Sequence, residues 1–522
     1  MKKPQDLNDA QWQAVTHDGG HLLIVAGPGT GKTHTLTYRI ARLTAHLADD
    51  QRVLAVTFTN KAADQMKERL EQKGLPTGKA GVDAGKFWAG TFHRFCAQLL
   101  RQQAQHTDLP DNFQIALPQQ ITALAKDIWP DKTMAQRQAA LESISLIKST
   151  RLALDPDADF RTYHRFLRGK GLIDFDDILR EALILLENNG EAADATRRQY
   201  PFVCVDEYQD INIVQNALLK ILSRDGVVLT AIGDPDQSIY GFRGSEVKLF
   251  HRFTDDFPGG TRLYLNENYR SAPNLLQASG QVIGQGGKQD NFQLVAQIHS
   301  EGRLVVHEAA TDRSEAEYIA HEIEKMVGGL SLLSNFVRRH GHVPRTFGDM
   351  AVLYRLNAQK ICLIQALEHL GIPYQASPTA GQAGQALRPG SGQADDAVLR
   401  AAEETLDYNV EKVSLLTLHA AKGLEFPVVF ITGCEEHLLP LDIEGMTGDR
   451  QEERRLFYVG MTRAKEFLFL TRAERRQLFG KGMFNGPSPF LADIEEELKA
   501  YEAGRRKKVK PALAPDQQMK LF

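Results

Sequence analysis

The stretch HLLIVAGPGTGKTHTLTYRIARL, starting at His21, carries the first residues able to do chemistry. Gly27, Gly29 and Gly31 leave the backbone bare enough for its N–H groups to close around phosphate oxygens. Lys32 can reach the β- and γ-phosphates of a nucleotide, and Thr33 can hold magnesium. Ala26 stands at the first position of the strict G-x-x-x-x-G-K-[ST] pattern, a tolerable departure because the donors come mainly from the later turn. A glycine-rich turn without a ligand is the bland alternative; the apolar strand before it and the amphipathic helix after it favour phosphate. FVCVDEYQD supplies the acids such a turn needs, since the apolar run from Phe202 to Val205 delivers Asp206 and Glu207. Asp206 suits ordering of magnesium, and Glu207 suits orienting and deprotonating a water. Adjacent acids after a strand are also common turn and N-cap residues, and only the pairing with the glycine-rich turn favours catalysis. VVLTAIGDPDQSIYGFRGS, from Val227, sets Asp234 and Gln237 at a third strand end and then offers Tyr240, Phe242 and Arg243. Aromatics interleaved with a cation suit stacking on single-stranded nucleic acid, worth ~1–3 kcal/mol per base, or else a core aromatic pair on a loop.

Such residues must be presented on the rim of a parallel sheet. Strand and helix alternation predicts an α/β lobe from 1 to about 108 and about 172 to 275. Residues 109–171, rich in Gln, Ala, Leu and charge and broken at Pro110, Pro118, Pro130 and Pro156, read as a small helical insertion. A second lobe is expected over 276–375 and 411–500, opening with GRLVVHEAATDRSEAEYIAHEIEKMV and MAVLYRLNAQKICLIQALEHLGIPYQ, each a strand and then a helix. Between the lobe's halves, 376–410 is rich in Ala, Gly, Gln and Pro and reads as a linker with room for one helix over 395–406. Near the C-terminus, GPSPFLADIEEELKAYEAGRRKKVK leaves room for little more than a final helix before the tail 501–522.

A chain of 522 residues with 42% hydrophobic and 25% charged content can bury more than one core. Four scattered cysteines, Cys96, Cys204, Cys362 and Cys434, show neither zinc nor disulfide spacing and suit a reduced, cytoplasmic protein. Nothing approaches the ~20 apolar residues that span a bilayer, so no membrane association is expected. A formal charge of -4 gives no general attraction for nucleic acid, so any such binding needs a local surface.

Taken together the motifs resemble superfamily 1 helicases of the UvrD/Rep type, in family order from Leu7 to Thr471. The resemblance implies two RecA-like P-loop lobes, 1A and 2A, with the insertion as subdomain 1B. LNDAQWQAV resembles the Q motif, making Gln11 the reader of adenine; in AVTFTNKAADQM and GTFHRFC the resemblance gives Phe58 and His93 contacts to DNA. GDPDQSIYGFRG carries Phe242 where many relatives have tryptophan, so stacking is expected to persist but weaken. LNENYRS implies Tyr269 stacked on adenine and Arg270 at the γ-phosphate. VSLLTLHAAKGLEFPVVFITG implies His419 near DNA and Glu425 near the ribose, and EERRLFYVGMTRAKEFLFL offers Arg463 as an arginine finger. Lys61, Lys422 and Lys465 suit surface charges as well as site residues.

The implied activity is ATP- and magnesium-dependent movement on single-stranded DNA, 3′ to 5′, with unwinding of tailed or forked duplex in DNA repair or replication. An ATP-switched DNA-binding or clamp-associated remodelling module that does not separate strands is the competing expectation; an ATPase on non-nucleic partners is disfavoured by the motifs' joint occurrence. The segment 376–410 stands where Rep-type relatives insert a large subdomain, 2B, and is shorter than the ~40 residues an independent core usually needs. The basic run from Arg505 to Lys510 suits a solvated tail. Gln518 to Phe522, with Leu521 and Phe522, resembles the pentapeptide that binds the bacterial sliding clamp, although a terminal apolar pair of no consequence reads the same way.

Overall fold

The computed structural model describes residues 2–73, 85–110, 112–152, 157–241, 244–286, 293–298, 300–328, 345–376, 411–443 and 446–503. Six short strands form the first sheet: β1 (Leu22–Ala26), β2 (Val53–Thr57), β3 (Phe87–Thr91), β4 (Phe202–Val205), β5 (Val228–Gly233) and β6 (Thr261–Leu265). Their order is β3-β2-β4-β5-β1-β6, and every pairing is parallel. The largely buried inner strands β1, β2, β4 and β5 suit a sheet covered on both faces, while the edge strand β6 is mostly half-buried. The packing shows it: Leu23, Val25, Leu54 and Val56 enter one core, and their neighbours Leu22, Ile24, Val53 and Ala55 enter the other. Strand periodicity of two thus feeds two helical layers.

The second sheet contains β7 (Arg303–Thr311), β8 (Met350–Tyr354), β9 (Tyr374–Ala376), β10 (Val413–Thr417), β11 (Phe426–Ile431), β12 (Ala464–Leu478), β13 (Lys481–Phe484) and β14 (Ala500–Ala503). Its order is β9-β10-β8-β11-β12-β7-β14, parallel throughout, with β13 folded back antiparallel onto β12. Alternate residues again part between two cores, Ala351 and Leu353 on one side and Met350, Val352 and Tyr354 on the other. The crossing between sheets lies between Leu265 and the helix Pro273–Gly284, whose Leu275, Ala278 and Val282 join the second lobe's core.

The final helix expected near the C-terminus is replaced by a four-residue helix, Pro489–Ala492, and by β14. The reason is register: Ala500 to Ala503 finds an open edge at Val305 to Glu308 and pairs there in parallel. Between β3 and β4, helices Pro118–Ile128, Met134–Thr150 and Ala158–Gly169 enclose a small core of their own around Ile121, Trp129, Ile144 and Tyr163. At its foot the Lys148 ammonium is buried 2.7 Å from Asp174 and 2.6 Å from Asp177, and the Tyr163 hydroxyl donates to Asp174 at 2.7 Å. Of 376–410 only Ala376 lies within the described residues, and so does the tail only as far as residue 503. Among the described residues no helix is long and apolar enough to cross a membrane.

Candidate functional site

The glycine-rich turn links β1 to the helix Lys32–Thr44, with Gly29 and Gly31 at φ 69° and 79°, where an L side chain is strained. Space excludes one too: a Cβ on Gly29 would sit 2.6 Å from Asn268 and Arg270, and one on Gly31 2.7 Å from Gln11. The cradle is backbone by necessity, which suits a phosphate chain. Gly27 has the same bareness, Leu294 lying 2.6 Å from where its Cβ would be. The Lys32 ammonium donates to the carbonyls of Ala26 and Gly27 at 3.1 and 3.3 Å; burial pushes its pKa down, against the pull of Glu207 and Asp234. Thr33 lies half-buried in the first helical turn.

Beside the turn opens a cleft of about 530 Å³ lined by Gln5, Asp6, Leu7, Asn8, Gln11, Gly29, Gly31, His34 and Tyr269. Gln11 is held from two sides, accepting from the Asn8 amide at 2.9 Å and donating to the Thr30 carbonyl at 3.0 Å. The half-exposed Tyr269 donates to Glu267 at 2.7 Å and accepts from Asn8 at 3.0 Å. A flat ring on one wall and a fixed amide at the floor fit a planar base with polar edges.

Where β4 and β5 end, the acids converge. Burial and the adjacent Glu207 push the Asp206 carboxyl up to about 7. Glu207, whose φ is 52°, is driven up by burial but held below its ordinary value by Lys422 and Lys32. Gln237 donates to Asp234 at 2.6 Å, and Arg463, from the second lobe, donates to Gln237 at 3.0 Å. Burial and nearby Arg270 lower the Arg463 guanidinium to about 9. A carboxylate and a hydroxyl, Asp206 and Thr33, are the hard oxygen donors magnesium prefers. Among the described residues no three His, Cys, Asp or Glu side chains form a metal cage.

Arg270 lies against Gly29 of the phosphate turn, with its guanidinium on Glu425 at 2.6 Å, and Lys465 holds the same carboxylate at 2.7 Å. Opposite charges from two segments met each other, which spacing along the chain cannot foretell. On the far side of the acids, Phe58 stacks on Tyr240 with ring centres 4.9 Å apart, and His419 tilts against Tyr240 at 6.5 Å. His93 lies in the first turn of the helix Phe92–Gln102, 5.7 Å from Phe175. Phe242 and Arg243 lie outside the described residues.

Asn268, Arg455 and Glu452 were not singled out by sequence, and Lys422 was left open between a surface charge and a site residue. Buried Asn268 donates to the Pro28 carbonyl at 2.7 Å and accepts from the amides of Arg270 and Ser271, fixing the inter-lobe crossing to the phosphate turn. Lys422 reaches from the second lobe to Asp210 at 2.5 Å and the Gln237 carbonyl at 2.6 Å, and lies 5.2 Å from the Tyr240 ring. Arg455 donates to the Ser238 carbonyl at 2.8 Å, and Glu452 accepts from the Gly241 amide at 3.0 Å. The available signal was a polar residue inside a motif, and such a residue does not disclose its partner.

Comparison with known proteins agrees with this geometry. The model of the UvrD/REP helicase N-terminal domain matches residues 7–258, and that of the UvrD-like helicase C-terminal domain matches 263–380 and 394–475. The chain belongs to the UvrD/Rep helicase family. Similar relatives include the ATP-dependent DNA helicase PcrA of Staphylococcus aureus (strain MRSA252), 28% identical over 674 residues, with 98% of this chain and 89% of the relative covered. The protein of the same name from Staphylococcus epidermidis (strain ATCC 12228) is also 28% identical, over 677 residues and with the same coverage. This UvrD/Rep helicase family member has 522 residues, so those alignments include segments that the relatives have and it lacks.

Proposed function

We propose that the chain is an ATP-dependent DNA helicase that translocates 3′ to 5′ on single-stranded DNA and unwinds tailed or forked duplex in repair or replication. The observation that carries this reading is Arg463 of one lobe hydrogen-bonded to Gln237 of the other, with its charge acting on Glu207. Residues 1–108 and 172–275 act as the ATP-binding lobe 1A, 109–171 as 1B, and 276–375 with 411–500 as 2A. Bacterial cytoplasm is the compartment that suits its buried free thiols Cys96, Cys204 and Cys434.

ATP is the substrate, its base between Gln11 and Tyr269 and its phosphates on Gly27, Gly29, Gly31 and Lys32. Thr33 and Asp206 would hold magnesium, which when bound would neutralise charge at the phosphates. Glu207 takes the proton of a water whose oxygen attacks the γ-phosphorus as the bond to the β-phosphate oxygen breaks. Lys32, Gln237 and Arg463 stabilise the charge on the transferring group. Arg270 is held by Glu425 in the present arrangement, so its approach to the phosphate requires exchange of that partner, a step that nucleotide-driven lobe closure supplies. Phe58, His93, Tyr240, Phe242, Arg243 and His419 are the strand contacts. If the lobes grip the strand through different members of this set, closing and opening moves the protein along it.

An ATP-switched remodelling module without strand separation is the second reading, favoured by the break of the C-terminal domain match at 380–394 and by the relatives' extra length. Strand separation on matched forked, 3′-tailed and 5′-tailed duplexes, with Glu207→Gln as the inactive control, decides between them. Unwinding of the 3′-tailed duplex alone supports the helicase and its polarity. DNA-stimulated hydrolysis without unwinding supports the second reading. Gln518, Leu521 and Phe522 lie outside the described residues; their proposed partner is the sliding clamp, and clamp binding unchanged by deletion of 518–522 would sink that part.

A further inference from the structure

Gln209 lies two residues beyond Glu207 and is 1% exposed, so each polar atom of its side chain needs a partner inside the protein. Both have one. The side-chain amide donates to the Glu207 carboxylate, and its oxygen accepts from the backbone amide of Asp234 at 3.0 Å. The neighbouring strand leaves room for it: a Cβ on Gly233 would lie 2.2 Å from the Gln209 oxygen. Its main-chain carbonyl accepts from the Ser238 hydroxyl at 3.1 Å, and the Ser238 carbonyl accepts from Arg455 of the second lobe. Two residues further on, Tyr240 stacks on Phe58. One glutamine therefore touches the acid that handles water and the loop that carries the strand-stacking ring.

We propose that Gln209 is a positioning residue that couples the Ser238–Tyr240 loop to the aim of the Glu207 carboxylate, so that binding of single-stranded DNA at the loop sets the rate of hydrolysis. The physical reason is directionality. Lys422 and Lys32 attract the carboxylate as charges and fix no angle, whereas a hydrogen bond to an ionised acceptor is short, strong and oriented. A misaimed water base costs roughly 10²-fold for a displacement near 1 Å. Any shift of the loop reaches Gln209 through Ser238 and through the Asp234 amide together.

The inference rests on the proposed ATPase, and the test separates the two. Steady-state ATP hydrolysis by the full chain is measured with and without a poly-dT oligonucleotide for wild type, Gln209→Met, Gln209→Glu, Tyr240→Ala and the Gln209→Met/Tyr240→Ala pair. Gln209→Met keeps the length and loses both hydrogen bonds. Gln209→Glu keeps an acceptor for Asp234 and loses the donor to Glu207, and it serves where the Met variant fails to fold. Either single variant at Gln209 is expected to lower the DNA-stimulated kcat by roughly 10²-fold, with the KM for ATP within about twofold. The stimulation ratio is expected to collapse, and Tyr240→Ala to add little on the Gln209→Met background, the non-additivity of residues acting as a unit. A stimulation ratio of wild-type size in both Gln209 variants, or full additivity with Tyr240→Ala, overturns the coupling. Absence of DNA stimulation in the wild type instead overturns the function on which it stands.

Discussion

Asn268 is the smallest part of the site with the widest reach. Its amide group ties the Pro28 carbonyl of the phosphate turn to the backbone of Arg270 and Ser271. Replacing it by alanine strands buried backbone groups at about 1–3 kcal/mol. Asn268→Ala is expected to weaken binding of a fluorescent ATP analogue about tenfold, the equivalent of some 1.4 kcal/mol, with a lower thermal midpoint. Under the proposed role as an arginine finger, Arg463→Ala should act on the other parameter, cutting kcat by roughly 10³-fold or more while nucleotide binding persists. Tyr240→Ala should cost about 1–3 kcal/mol in affinity for a single-stranded oligonucleotide, read by fluorescence anisotropy. That Lys32, Asp206 and Glu207 lie within electrostatic reach of one another could be expected from sequence, because phosphate chemistry constrains residue type and spacing together. Asn268 and Gln209 were not legible, because what distinguishes them is burial against a partner remote in the chain or shielded by the fold. Arg270 shows the same limit: its type was plain, its pairing with Glu425 was not.

At the scale of elements, the α/β alternation was readable wherever a strand was apolar on both faces, as in LLIVA and MAVLY. It failed at β14, a mixed sequence that becomes a strand only because the edge of β7 is open. The helical insertion offers a sharper test. Burial and nearby Asp174 raise the Asp176 carboxyl to about 7, against the Ser145 hydroxyl and Lys148. A carboxyl raised in the folded state favours folding below its unfolded value near 3.8 and loses that advantage as pH climbs through about 7. Asp176→Asn should therefore raise the unfolding midpoint at pH 8 by about 2 °C and not at pH 4. Lys148→Met leaves Asp174 and Asp177 buried without their cation, a loss of about 3–5 kcal/mol. Hydrogen exchange is expected to rise across helices Pro118–Ile128, Met134–Thr150 and Ala158–Gly169 while β8 and β11 stay protected.

At the scale of the whole molecule, the lobes are held together by polar contacts that follow Glu207 in the chain, at Asp210 and over Gln237 to Gly241. Lys422 and Arg463 cross to Asp210 and Gln237, and Arg455 and Glu452 cross to the Ser238–Gly241 loop. Burial raises Asp210 to about 7 even with Lys422 beside it, so loss of that cation should leave it protonated at neutral pH. Lys422→Met is expected to widen the lobe separation seen by energy transfer between dyes on the two lobes, and adding Asp210→Asn should change it little further.

The order of strands also bears on how the protein is made. The first sheet has all six strands once Leu265 is translated, but β7 receives its two neighbours only from β12, at 464–478, and β14, at 500–503. At ribosomal speeds of ~5–20 residues per second, roughly 10–50 s separate the two events. Through that interval the finished first lobe leads a chain in which β9, β10, β8 and β11 can pair with one another while β7 waits with both edges open, the exposed strand edge that invites association with other chains.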